Sequence, residues 1–183
     1  MSGIEWKIFL RSFFIQGGWN YRTLQGAGFA WVLLVVPRGR PNDDEAEWVS
    51  LHAETFNSHP YLASAALAAV ATMEGEGRPQ TEIRRFKDAL GSLGGSLGDG
   101  LFWNAWRPLT LVIALGMALV GFSPTTVVVG FLTLYNILHL WSRLQGVRMG
   151  TTSGVRIGEG IRGLEIPHWS ERIRTVGVLV LGL

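Results

Sequence analysis

Residues 109–141 read "LTLVIALGMALVGFSPTTVVVGFLTLYNILHLW". Fourteen uncharged residues run from Leu109 to Phe122, Ser123 and Pro124 interrupt them, and seventeen more follow from Thr125 to Trp141. One helical crossing of a bilayer needs about 20 apolar residues. The stretch exceeds that, so a hairpin of two short or tilted helices is expected, with both flanks on one side. Arg84, Arg85 and Lys87 precede it, and Arg143, Arg148, Arg156, Arg162, Arg172 and Arg174 follow. The positive-inside tendency assigns both flanks to the cytoplasm.

Composition agrees with a bilayer. Charged residues are 16% of the 183, where soluble domains carry roughly 25%, and mean hydropathy is +0.24. Net charge is only +2 and the basic residues are scattered, so no nucleic-acid footprint is present. With no cysteine, disulfides, thiol nucleophiles and Cys-ligated zinc are excluded. The four histidines lack metal-ligand spacing and no Gly-x-Ser-x-Gly elbow exists, so neither a metal, a cofactor nor independent catalysis is expected.

Working outward, residues 4–16 space Ile4, Ile8, Phe9, Phe13 and Ile15 as an amphipathic helix suited to the headgroup region, or to a soluble core. Polar residues interrupt this N-terminus, and no secretory signal is read there. "GAGFAWVLLVVP" (26–37) reaches about halfway across a bilayer. "RGRPNDDEAEW" (38–48) is a solvated turn, and Asp43, Asp44 and Glu45 suit the start of a helix. Pro60 breaks the next helical stretch, after which Ser64, Ala65, Ala68 and Ala69 form a seam for close helix approach. The glycine-rich "GSLGGSLGDG" (91–100) lacks the context of a phosphate loop. The closing "VGVLVLGL" is too short to cross. The expected class is an all-α integral membrane protein: several short or broken transmembrane or re-entrant helices behind an amphipathic interfacial helix. Residues 1–183 would be a single membrane domain, cut short at its C-terminus or completed by a partner.

Three constellations place polar groups in apolar surroundings, where each is costly unless partnered. Gln16, Asn20 and Gln25 stand among glycines 17, 18, 26 and 28 and serve either sugar hydroxyls or neighbouring helices. In "FNSHPY" (56–61), Asn57 and His59 precede the Pro60 break, as at a transporter site, or Asn57 is a helix cap. In "GDGLFWNAWRP" (98–108), Asp99 and Arg107 lie about two turns apart on one helical face with Trp103 between them. Asp99 either caps a new helix or binds a ligand. Trp103 either stacks on a sugar ring or anchors in lipid.

These residues resemble a known family. "RSFFIQGGWNYRTLQGAGFAWVLL", "FNSHPYLASAALAAVATME", "GDGLFWNAWRP" and "LYNILHLWSRLQGVRMG", in that order, look like the IID membrane subunit of mannose-type sugar phosphotransferase permeases, from about Trp6 to Gly150. The resemblance implies a non-catalytic subunit of the bacterial inner membrane, multi-pass, that forms a hexose pathway with a IIC subunit. A cytoplasmic IIAB protein would phosphorylate the sugar as it crosses. By the same resemblance Gln16, Asn20, Asn57, His59, Asp99, Trp103 and Arg107 line or shape the sugar site, and Asn136 and His139 fall in the fourth motif. Gly100 stands where serine, alanine or proline is usual, and residues 91–97 do not align cleanly. The short C-terminal end leaves a second reading, a non-transporting regulatory or assembly subunit of such a complex.

Overall fold

The computed structural model describes residues 1–37 and 44–182, and every regular element among them is helical. The elements are α1 (Gly3–Ser12), α2 (Gly26–Leu33), α3 (Glu45–Ala53), α4 (Ala63–Gly75), α5 (Gln80–Gly98), a π-helical segment (Asp99–Trp106), α6 (Arg107–Leu119), α7 (Pro124–Ser153), a 3-10 turn (Gly154–Arg156), α8 (Ile157–Gly163) and α9 (Ile166–Leu181). Of the solvated turn assigned to 38–48, residues 38–43, Asp43 included, lie outside the described residues, and the rest is the start of α3.

Local chemistry sets the ends of these helices. Ser2 and Glu5 form a reciprocal capping box on α1. Asp44 caps α3 by accepting from the Ala46 N–H. Ser123 caps α7, with Pro124 in its first turn where no N–H is needed. At the other end of α3, Lys87 Nζ donates to the carbonyls of Leu51 (2.8 Å) and His52 (3.2 Å). Lys87 is buried at 2% exposure, and that burial pushes its ammonium down to about 8. This lysine was expected on a solvated cytoplasmic flank. It is a buried helix cap because α3 ends beneath α5 and its last carbonyls need donors.

The core is built around α4, which is buried on nearly every side. The seam expected at Ser64, Ala65, Ala68 and Ala69 packs on α7, whose Gly146 and Gly150 face it. A Cβ on Gly150 would lie 2.6 Å from the Ala65 carbonyl oxygen and 2.7 Å from the Ala69 nitrogen. The backbones therefore touch, and the four-residue glycine spacing is what permits it.

Residues 109–141 form the expected hairpin, α6 turning through Val120–Ser123 into α7. Its second arm extends beyond Trp141 to Ser153, because the polar "SRLQGVRMG" stretch is held by the α4 seam. Between Pro124 and Leu181 lies an 18-residue window of mean hydropathy 1.3, only 11% of it buried inside the chain. Leu115, Leu119, Val128, Leu132, Ile137 and Leu140 are exposed along the hairpin. An apolar surface so continuous does not suit water.

Two expectations at residues 91–107 are corrected. The glycine-rich stretch is the second half of α5, and the helix continues without a stop through Asp99 (φ −63°, ψ −42°) into the π segment. Asp99 thus caps nothing. The wider π turn also disrupts the α-helical spacing that would have placed Asp99 and Arg107 on one face.

Candidate functional site

A polar cleft of about 430 Å³ opens where the loop before α4 meets the α5–π junction and the middle of α7. Its wall includes Gln16, Asn57, His59, Asp99, Trp103 and Arg143.

The cleft depends on a loop held in an unusual place. Residues 54–62 leave helical geometry ahead of Pro60 and reach α4, whose first turn is capped by no side chain; Asn57 is not its cap. On one side the loop is bonded to the segment before α2: Phe56 N donates to the Thr23 carbonyl (3.2 Å) and Gln25 N to the Phe56 carbonyl (2.9 Å). Gly26 allows this approach, since a Cβ there would sit 2.2 Å from the Glu54 carbonyl oxygen. On the other side the loop presses on glycines of α5. A Cβ on Gly94 would meet Ser58 Oγ at 2.4 Å, and one on Gly98 would meet His59 Cβ at 2.2 Å. The glycine-rich 91–98 stretch is therefore a groove for the loop.

His59 is 2% exposed and stacked on Phe102, with ring centroids 4.8 Å apart and planes 13° from parallel. Its Nδ1 accepts from the Tyr61 N–H at 3.3 Å. The neutral ring therefore carries its proton on Nε2. That Nε2 is buried and has no hydrogen-bond partner, as is also true of Ser58 Oγ. Trp103 lies 5.3 Å from the His59 ring, and Tyr61 borders it edge-on at 4.8 Å.

Behind Tyr61 runs a directed chain of hydrogen bonds. Arg143, 3% exposed, donates through Nε to His139 Nε2 (2.8 Å) and through Nη1 to the Ser12 carbonyl (2.7 Å) and hydroxyl (2.9 Å). His139 then carries its proton on Nδ1 and donates to Asn136 Oδ1 at 3.1 Å. The His139 ring stacks on Tyr61 at 3.8 Å. Arg143 was counted among the cytoplasmic flank of the hairpin. Instead it lies inside the fold, tying α1 to α7.

Of the residues singled out in the sequence, Gln16, Gln25, Asn57, His59, Asp99 and Trp103 meet at this cleft, Gln16, Asn57 and Asp99 being exposed and Gln25 buried. Asn20 does not reach it. Its side chain closes a turn, accepting from Arg22 N and Thr23 N and donating to Gly18 O and Thr23 Oγ1. Arg107 stays outside as well, its guanidinium 4.8 Å over the Trp103 ring. Asn136 and His139 support the wall from behind. Ser58, Tyr61 and Arg143 were not among the candidates. For Arg143 the one signal was an arginine four residues after His139 on a single helix face. Among the described residues no cluster of three or more His, Asp or Glu could hold a metal ion.

The profile of the PTS system mannose/fructose/sorbose family IID component matches residues 4–183. The chain belongs to that IID family. It is 29% identical over 184 residues to the PTS system mannose-specific EIID component of Escherichia coli K12, covering 96% of the chain and 64% of the relative. The fructose permease IID component of Bacillus subtilis 168 is 27% identical over 183 residues, covering 96% of the chain and 66% of the relative. The IID chain thus spans about two thirds of the length of these relatives. Two solved structures align with all of it. One, titled as the structure of a membrane protein, has a TM-score of 0.84 at 27% identity and is covered over 69%. The other, the cryo-EM structure of the mannose transporter ManYZ with microcin E492, has a TM-score of 0.76 at 26% identity, again over 69%. This IID chain is accordingly a membrane protein, and the exposed apolar hairpin is its lipid-compatible surface.

Proposed function

We propose that the chain is a non-catalytic translocation subunit that forms a hexose pathway with a IIC subunit, multi-pass in the bacterial inner membrane. A cytoplasmic IIAB protein phosphorylates the sugar as it crosses. In this reading residues 1–183 act as one membrane domain, α6 and the first half of α7 span the bilayer, and the polar cleft faces the pathway. The names of the relatives support the sugar class.

The observation that carries the proposal is the buried His59 Nε2–H, without a partner, at the wall of a cleft that also holds an amide, a carboxylate and an indole. A buried donor left unmatched costs about 1–3 kcal/mol, so a ligand oxygen that meets it gains that much. Asp99 accepts from sugar hydroxyls, Asn57 and Gln16 both donate and accept, and Trp103 offers an apolar face to the ring. The protein holds and orients the sugar in a site of low dielectric. It performs no bond-making step of its own.

The test is phosphoenolpyruvate-dependent uptake of labelled hexoses by vesicles containing the cognate IIC and IIAB proteins, with this chain present or absent. Uptake should require the chain and fall sharply for His59→Ala while that variant still co-purifies with IIC. Full uptake without the chain would defeat the proposal.

A further inference from the structure

We infer that Gln25 is the positioning residue of the site: its amide fixes the loop that holds His59 at the wall of the cleft. The inference rests on the reading of the cleft as a sugar site.

Gln25 occupies the N-cap position of α2, yet its side chain caps nothing there. It is turned instead across 33 residues of sequence to the backbone of Ser58, the residue before His59. Nε2 donates to the Ser58 carbonyl at 2.7 Å, and Oε1 accepts from the Ser58 N–H at 3.1 Å. With its own backbone N–H on the Phe56 carbonyl, Gln25 makes three hydrogen bonds to residues 56–58. At 2% exposure it meets little solvent, and both polar ends of its amide are engaged with Ser58.

Among the described residues no other group is bonded to the Ser58 backbone. Ser58 is 5% exposed and its Oγ has no partner. Were the amide removed, a buried N–H and a buried carbonyl of Ser58 would both lack partners, and the backbone would move to find them. It cannot move toward α5, where the glycine groove is already in contact with Ser58 and His59. The movement open to it leads away from α5 and carries His59 off its stacking on Phe102. The ring then leaves its place at the wall of the cleft.

A residue acting through His59 has a distinct signature in transport kinetics. Gln25→Leu keeps the volume and removes both bonds. It should raise KM for the sugar about tenfold, the equivalent of one hydrogen bond to the ligand, with little change in the turnover rate and normal retention of IIC. On a His59→Ala background it should add nothing, since the group it positions is already absent. A further KM increase there, or an unchanged KM in the single variant, would overturn the inference.

Should Gln25→Leu not accumulate in the membrane, Gln25→Glu decides. A protonated glutamic acid reproduces both bonds, and an ionised one cannot donate to the Ser58 carbonyl. Its KM relative to the natural chain should be close to one where that carboxyl is protonated and rise at least about fivefold where it is ionised; a ratio close to one from pH 5 to about pH 10 would refute the role. If His59→Ala itself leaves uptake unchanged, it is the sugar-site reading that fails, and the two failures are thereby told apart.

Discussion

Gly98→Ala is the substitution for which helix physics and site geometry make opposite forecasts. In an exposed helix interior alanine is favoured over glycine by about 0.8–1 kcal/mol. Gly98 lies in α5, but its added Cβ would stand 2.2 Å from His59 Cβ and 2.4 Å from Cγ. Ordinary carbon contact begins near 3.4 Å, so His59 must yield by about 1.2 Å. Overpacking costs roughly 1–3 kcal/mol, which the helix gain offsets in part. The expected loss of stability is therefore about 0–2 kcal/mol. Function should suffer far more, because a misplacement of about 1 Å can cost about a hundredfold. The assay is sugar uptake in vesicles with the cognate subunits, alongside thermal unfolding in detergent. Gly100→Ala, whose Cβ meets nothing within 4 Å, is the control and should transport as the natural chain does and unfold at no lower a temperature. If Gly98→Ala transports as well as Gly100→Ala, the account of the glycine groove is wrong.

Gly150→Ala puts its Cβ 2.6 Å from the Ala65 carbonyl oxygen, where only backbone can yield; a destabilisation of about 1–3 kcal/mol is expected as a lower melting temperature in detergent, while Gly116→Ala, with open space, should not destabilise. Lys87 titrates near 8 in the fold against 10.5 for an unperturbed lysine. The folded state thus binds fewer protons than the unfolded one between those values, and stability rises with pH across that window. Melting curves should show the natural chain gaining on Lys87→Met as pH is raised from about 7.5 to 10. Arg143→Lys cannot reproduce a planar fork that serves His139 and Ser12 together; a loss of about 1.5–3 kcal/mol is expected, with faster proteolysis near Ser12 as the readout.

The hairpin and the alanine seam were legible because they are written locally: uncharged runs bounded by Ser-Pro, and small residues at helical spacing. His59, Asn57 and Asp99 could be singled out because polar groups stood beside a proline or a tryptophan in apolar surroundings. What stayed hidden depends on partners distant in the chain. Gly91, Gly94 and Gly98 read only as a glycine-rich passage until the 54–62 loop is laid against them, when they become a contact surface. Gln25 is joined to Ser58 across 33 residues, and Arg143 to Ser12 across 131. No periodicity records such pairings. Asn20 misled for the converse reason: an Asx turn needs only its nearest neighbours, and an amide among glycines looks the same whether it closes a turn or faces a ligand. The π segment concealed the true placement of Arg107, because an α-helical count of two turns does not apply across i→i+5 bonding.

The central claim is that the cleft between the His59 loop and α7 holds the sugar, with the His59 Nε2–H as its buried donor. Equilibrium binding of labelled hexose to the purified chain assembled with its IIC partner tests it most directly, comparing the natural chain with His59→Ala at equal assembly. The account predicts saturable binding by the natural chain and an affinity at least about tenfold weaker in the variant. Equal affinity in both would contradict it.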